Sequence, residues 1–112
     1  MARFVKGDIV VVPFPFSSTT GEKRRPALVI ASWRCLNTTD YLLCMISSQN
    51  VNEPYIMPLD QSDIAQGSFS YQSYLRPTYL FTVGERRITK KIAKLKEAKF
   101  QDVIANITRA IE

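Results

Sequence analysis

The sequence predicts a mostly β domain, a small curled sheet or partly open barrel with one C-terminal helix packed on it or across one end. Three observations predict it. Short runs rich in β-branched and aromatic residues recur along most of the chain, separated by proline, glycine and small polar residues. The apolar spacing changes to that of a helix only in the last segment. A length of 112 residues with 46% apolar content suits one hydrophobic core, so residues 1–112 are expected to form a single domain.

Asp8 to Phe16 is the first expected strand, bending or ending at Pro13 and Pro15. Ser17 to Lys23 is small, polar and contains Gly21, which predicts an exposed hairpin loop. Arg24 to Ser32 returns as the second strand. Its first joint, Arg25-Pro26, is rigid: proline fixes its own φ and pushes Arg25 into an extended conformation, so the arginine leaves the backbone in a defined direction. Ala27 to Ala31 is apolar without alternation, as in a strand covered on both faces. Trp33 to Asp40 is read as a polar connection.

Tyr41 to Ser47 is the third expected strand, ending in the polar run Ser47-Ser48-Gln49-Asn50. Tyr55 to Leu59 is a short fourth, and Gln61 to Gln72, without a clear period, is read mostly as loop. Ser73 to Leu75 and Tyr79 to Val83 are two more short strands around a second Arg-Pro pair, Arg76-Pro77. Phe100, Val103, Ile104, Ile107 and Ile111 then recur on one face of a helix running from about Lys96 to Ile111. No Ser, Thr or Asp caps its start, though Glu97 suits the positive end of the dipole.

Fifteen Lys and Arg against ten Asp and Glu give a net charge of +5, which favours polyanionic partners. There is no histidine, so Ser-His-Asp and Cys-His catalysis are excluded. Cys35 and Cys44 form no Cys-x-x-Cys pair, so no metal or other cofactor is expected and both thiols are read as reduced and structural. No window approaches the roughly 18 apolar residues of a membrane span, nor does the start resemble a signal peptide, which predicts a cytoplasmic protein without membrane contact.

Gly7-Asp8-Ile9-Val10, Pro15-Phe16, Lys23-Arg24-Arg25-Pro26-Ala27-Leu28-Val29-Ile30 and Ile46-Ser47-Ser48-Gln49, in that order and spacing, resemble the MazF/PemK (Kid) family of toxin endoribonucleases. Tyr74-Leu75-Arg76 through Phe81-Thr82-Val83 and the final helix match it more loosely. The resemblance implies an SH3-like barrel, a homodimer, and metal-independent cleavage of single-stranded RNA at short motifs, halting translation and growth as the toxin of a type II toxin–antitoxin system. It also implies a MazE-like antitoxin whose flexible acidic tail occupies the RNA groove, with DNA met only through that complex.

Metal-free cleavage uses the ribose 2′-hydroxyl as nucleophile and leaves 2′,3′-cyclic phosphate and 5′-hydroxyl ends. It needs a proton acceptor and a cation on the charged phosphorane, and a guanidinium fork suits the second task. The resemblance places the catalytic arginine at Arg25. Ser47 stands where the family commonly has threonine, able to bind a phosphate oxygen or the 2′-hydroxyl, with Ser48 and Gln49 beside it. Arg76 matches an arginine that Kid-type relatives use with an aspartate two residues later; here that residue is Thr78, which leaves the general base unassigned. Glu22 is the first acidic substitute, next to Lys23 and Arg24 in the basic run. Phe16, Trp33 and Tyr79 are candidate stacking platforms for bases, and Lys90, Lys91, Lys94, Lys96 and Lys99 form a solvated basic run with weak phosphate attraction. Two other classes fit a small barrel: a CcdB-like toxin that binds a protein, and an SH3-like peptide-binding module, for which an aromatic groove is expected instead.

Overall fold

The computed structural model describes residues 3–14, 23–69 and 72–112, and of Phe14, Lys23 and Cys35 the backbone alone. Seven strands form one antiparallel sheet: β1 (Asp8–Phe14), β2 (Lys23–Cys35), β3 (Thr38–Ser47), β4 (Met57–Leu59), β5 (Ile64–Gly67), β6 (Ser73–Gly84) and β7 (Lys90–Leu95). Their order across the sheet is β4-β6-β3-β2-β1-β7-β5, and α1 (Glu97–Ile111) follows. The sheet curls into a half-barrel, the mostly β class with a closing helix that the sequence predicts.

Side chains alternate across a strand, so each central strand contributes to two cores. On one face Ile9, Leu28, Cys44, Ile46 and Leu75 pack against Phe100, Val103 and Ile107 of α1. On the other, Val10, Val12, Ala27, Val29, Tyr41 and Leu43 are covered by Phe4 and Ile88. Double coverage explains why Ala27 to Ala31 carries no polar alternation. Phe4 meets the Tyr41 ring edge-on at 5.6 Å and its N–H donates to the Tyr41 hydroxyl at 3.3 Å. Asp8, buried at the start of β1, accepts from the Val5 N–H at 3.0 Å and pairs with Lys91 at 3.2 Å and Lys94 at 3.5 Å.

Several expected boundaries move. Residues 15–22, including the end of the first expected strand and most of the loop after it, lie outside the described residues. The connection read over Trp33 to Asp40 is instead a tight hairpin: Trp33, Arg34 and Cys35 pair with Asp40, Thr39 and Thr38, and only Leu36 and Asn37 turn, Leu36 at φ 51°. Cross-strand pairing holds those polar residues extended where their composition alone reads as loop. The fourth strand is shorter than read, because Tyr55 takes φ 70° and leaves Met57–Leu59.

The stretch read as loop from Gln61 holds β5, preceded by a 3-10 turn over Gln61–Asp63. Asp60 accepts from the Ser62 N–H at 2.9 Å while Asp63 accepts from the Asp60 N–H at 3.1 Å, a reciprocal cap that stops the turn where β5 begins. The two short strands around Pro77 are one strand, β6. The register against β3 jumps from Met45↔Arg76 to Cys44↔Leu80, so Pro77, which has no N–H to donate, falls inside the irregularity. The basic run is also partly strand: Lys90, Lys91 and Lys94 belong to β7, between β1 and β5. α1 agrees with its expected span to one residue, and Lys96 gives it no side-chain cap. Ile111, however, is 75% exposed and not part of the buried face.

Gly67 closes β5 at φ +84°, and a Cβ there would stand 2.4 Å from the Ile92 carbonyl oxygen. Gly67→Ala is therefore expected to destabilise the fold by about 2 kcal/mol, from the left-handed conformation and the backbone contact together, measured by urea unfolding. Cys44 is a free, buried thiol. Its Sγ donates to the Arg76 carbonyl at 3.2 Å, and burial pushes the thiol up to about 12, which keeps it protonated at neutral pH. It packs in the core with Ile9, Leu28 and Ile46; the Cys35 side chain lies outside the described residues.

Candidate active site

Arg25 pairs with Val12 of β1, one residue before Pro26, near the start of β2. The register beyond it runs Ala27↔Met45 into β3 and Met45↔Arg76 into β6. Two residues past Ala27 stands Arg25, and two residues past Met45 stands Ser47. Strand alternation therefore puts Arg25, Ser47 and Arg76 on one face and at one end of the sheet, past the small core that contains Val12 and Ala27.

The two arginines differ in their surroundings. Arg76 is fully engaged: its Nε donates to Glu53 Oε2 at 3.1 Å, its Nη2 to Glu53 Oε1, its Nη1 to the Met45 sulfur at 3.4 Å, and its guanidinium lies 5.1 Å from the Tyr79 ring centroid. Thr78 Oγ1 donates to the same Glu53 Oε2 at 3.2 Å. The Arg76 guanidinium holds the Glu53 carboxyl below its usual range, with Thr78 adding to the effect. Arg25, half-buried, has no ion-pair partner among the described residues.

The Ser47 hydroxyl is turned to its own chain, donating to the Gln49 carbonyl at 3.0 Å and accepting from the Gln49 N–H at 3.1 Å. Ser48 and Gln49 are exposed beside it. Phe16 and Glu22 lie outside the described residues, and of Lys23 only the backbone is described, opposite Phe14. Arg24 is exposed and lines a cavity of about 500 Å³ with Pro13, Arg86, Arg87 and Thr89. A second polar cavity of about 500 Å³, lined in part by Arg34, Thr38 and Asp40, lies at the opposite end of β2 and β3.

Of the described stacking platforms, Trp33 is not brought to the site and Tyr79 is engaged there. Trp33 is eight residues along β2 from Arg25, roughly 27 Å at the rise of a strand. Tyr79 joins the site but packs against Arg76 and, edge-on, against Phe81 at 6.1 Å. Within the basic run, Lys91 and Lys94 hold Asp8 and Lys99 pairs with Asp63 at 3.7 Å, so those cations are spent on the fold. Glu53 is the site residue that the sequence reading missed. Its one signal was its place, an acid between Asn52 and Pro54 just after the hydroxyl-rich end of β3. Arg86 and Arg87, drawn to Arg24 by the turn before β7, gave none.

The fold is thus a helix-closed half-barrel that carries Arg25, Ser47 and Arg76 together at one strand end. The family model described as PemK-like, MazF-like toxin of type II toxin–antitoxin system matches residues 5–111, and the chain belongs to that family. No curated protein matches the sequence. Among solved structures, an endoribonuclease in complex with its cognate antitoxin from a mycobacterial species is similar at 14% identity and TM-score 0.69, covering 99% of this chain and 95% of that one. The Mycobacterium tuberculosis toxin MazF-mt6 is similar at 16% identity and TM-score 0.69, covering 93% and 95%. A MazE-MazF structure from Deinococcus radiodurans gives 16% identity and TM-score 0.72 over 99% and 97%. These likenesses concern the fold. No helix among the described residues is long and apolar enough to cross a membrane.

Proposed function

We propose that this chain is an endoribonuclease toxin that cuts single-stranded RNA in the cytoplasm, acting as a homodimer of one-domain subunits and restrained by an acidic antitoxin peptide. The observation that carries the proposal is Arg25, which has no carboxylate partner among the described residues yet is fixed by Pro26 on the face and at the end of the sheet where Ser47 and Arg76 stand. A surface arginine with a structural task is paired, as Arg76 is. A fork on rigid backbone that no described carboxylate engages suits a phosphate that arrives with the substrate.

In this reading Arg25 stabilises the phosphorane. Ser47 turns its donor from the Gln49 carbonyl to a phosphate oxygen when RNA is bound. Arg76 and Thr78 shape the floor of the site through Glu53, while Ser48 and Gln49 meet the strand at its rim. The cavity beside Arg24, with Arg86 and Arg87, takes phosphates further along the RNA. The same cationic surface gives an acidic antitoxin tail its place, so inhibitor and substrate compete.

The test is incubation of the purified protein with a long, motif-diverse RNA in excess EDTA, with the product ends mapped. Cleavage leaving 2′,3′-cyclic phosphate and 5′-hydroxyl ends is the expected result. Folded protein that inhibits growth but cuts no RNA would turn the assignment to a toxin that acts by binding a protein.

A further inference from the structure

A 2′-hydroxyl becomes a nucleophile only as its proton departs, and the acceptor must be a side chain in reach of the ribose. With no histidine in the sequence, a carboxylate, ionised at neutral pH, remains as an acceptor, a weaker one where an arginine lowers it as Arg76 does Glu53. Among the described residues the other carboxylates are engaged elsewhere or distant. Asp8 is held by two lysines, Asp60 and Asp63 cap a turn, Glu85 pairs with Arg3, Glu97 accepts from Gln101 on α1, Asp102 and Glu112 lie on and just after that helix, and Asp40 lies seven residues up β3 from Ser47. Glu53 alone stands with Arg76 on the face that carries Arg25 and Ser47.

Its hydrogen bonding leaves room for one more donor. A carboxylate has about four lone-pair sites, and Arg76 Nε, Arg76 Nη2 and Thr78 Oγ1 fill three of them. The side chain is a quarter exposed, so the fourth is open to solvent and to a bound strand. The Arg76 fork fixes where that site points, because both carboxylate oxygens are held at once.

We propose that Glu53 is the proton acceptor of the cleavage reaction, a role that rests on the ribonuclease reading above. The 2′-oxygen forms its bond to phosphorus as its proton passes to the Glu53 carboxylate, and the bond from phosphorus to the 5′-oxygen breaks. The departing 5′-oxygen takes a proton from water, and Glu53 returns its own to solvent, so the reaction is balanced without a co-reactant. Arg76 and Thr78 are positioning residues for Glu53, and the ribose of the attacked linkage docks against the Val51–Ile56 loop.

The experiment compares native protein with Glu53→Gln, Glu53→Ala and Glu22→Gln on motif-diverse RNA in EDTA, alongside binding to the same RNA made uncleavable by 2′-O-methylation. Glu53→Gln is expected to lose cleavage by about 100-fold or more while it stays folded and still binds the uncleavable RNA, its thermal midpoint falling because the new amide nitrogen faces an Arg76 N–H. Added imidazole or acetate is expected to restore part of the cleavage to Glu53→Ala, which a merely structural role would not allow. Native-rate cutting by Glu53→Gln, loss of cutting only in Glu22→Gln, or a folded Glu53→Ala that no added base revives would each overturn the assignment of Glu53. Failure of the native protein to cut would instead remove the ribonuclease reading, and the role of Glu53 with it.

Discussion

Arg25→Ala is expected to lower the rate of RNA cleavage by about 10²- to 10³-fold, the scale of removing one preorganised donor from a developing anion. Stability is expected to move by no more than about 0.5 kcal/mol, because Arg25 holds no carboxylate among the described residues and its strand is anchored by Ala27, Leu28 and Val29 instead. Arg25→Lys keeps the charge and loses the planar fork, so it should recover only part of the rate. Single-turnover cleavage in EDTA, read beside a urea unfolding curve, separates the two effects. If the alanine variant cuts as fast as the native protein, Arg25 has no part in the chemistry. Arg76→Ala offers the contrast: it strips Glu53, Thr78, Met45 and Tyr79 of a shared partner, so activity and stability should fall together.

Asp8→Ala is expected to cost about 3 kcal/mol of folding stability, the range for deleting one member of a buried ion pair, taken at its lower end because both lysines reach solvent. The Asp8 side chain is 3% exposed, and it serves three donors: the Val5 N–H, Lys91 and Lys94. Its loss leaves the Val5 N–H without that acceptor and two β7 ammonium groups with no carboxylate between them. Asp8→Asn keeps an acceptor for Val5 and should cost less than half as much. Urea midpoints at constant slope would verify this ranking, and equal stability of all three proteins would show that β7 is held by its ladder alone.

The parts legible in the sequence are those whose causes are local. Pro26 dictates an extended Arg25 from one position away, and the apolar spacing from Phe100 to Ile107 dictates a helix face without reference to anything else. The β7 lysines misled for the opposite reason. Lys90-Lys91-Ile92-Ala93-Lys94-Leu95 resembles a solvated run until β1 and β5 pair on either side of it. Trp33 and Arg34 likewise became strand because Asp40 and Thr39 lie opposite. Glu53 reaches Arg76 across 23 positions of sequence, through a register jump that no local pattern encodes. Position 78, two residues after Arg76, holds a threonine; the acid that meets Arg76 comes from a loop instead, and Thr78 keeps its hydroxyl on it.

The strands at the two borders of the sheet bear on how a partner peptide can attach. β4 has three residues, with Pro58 in the middle unable to donate, and β5 has four and ends on Gly67. β4 pairs with only Ser73–Leu75 of the twelve-residue β6, so most of that border is formed by β6 itself, the margin an extended peptide would meet. An inhibitory peptide of the proposed kind that also grips charge at the arginines should hold less tightly as salt rises.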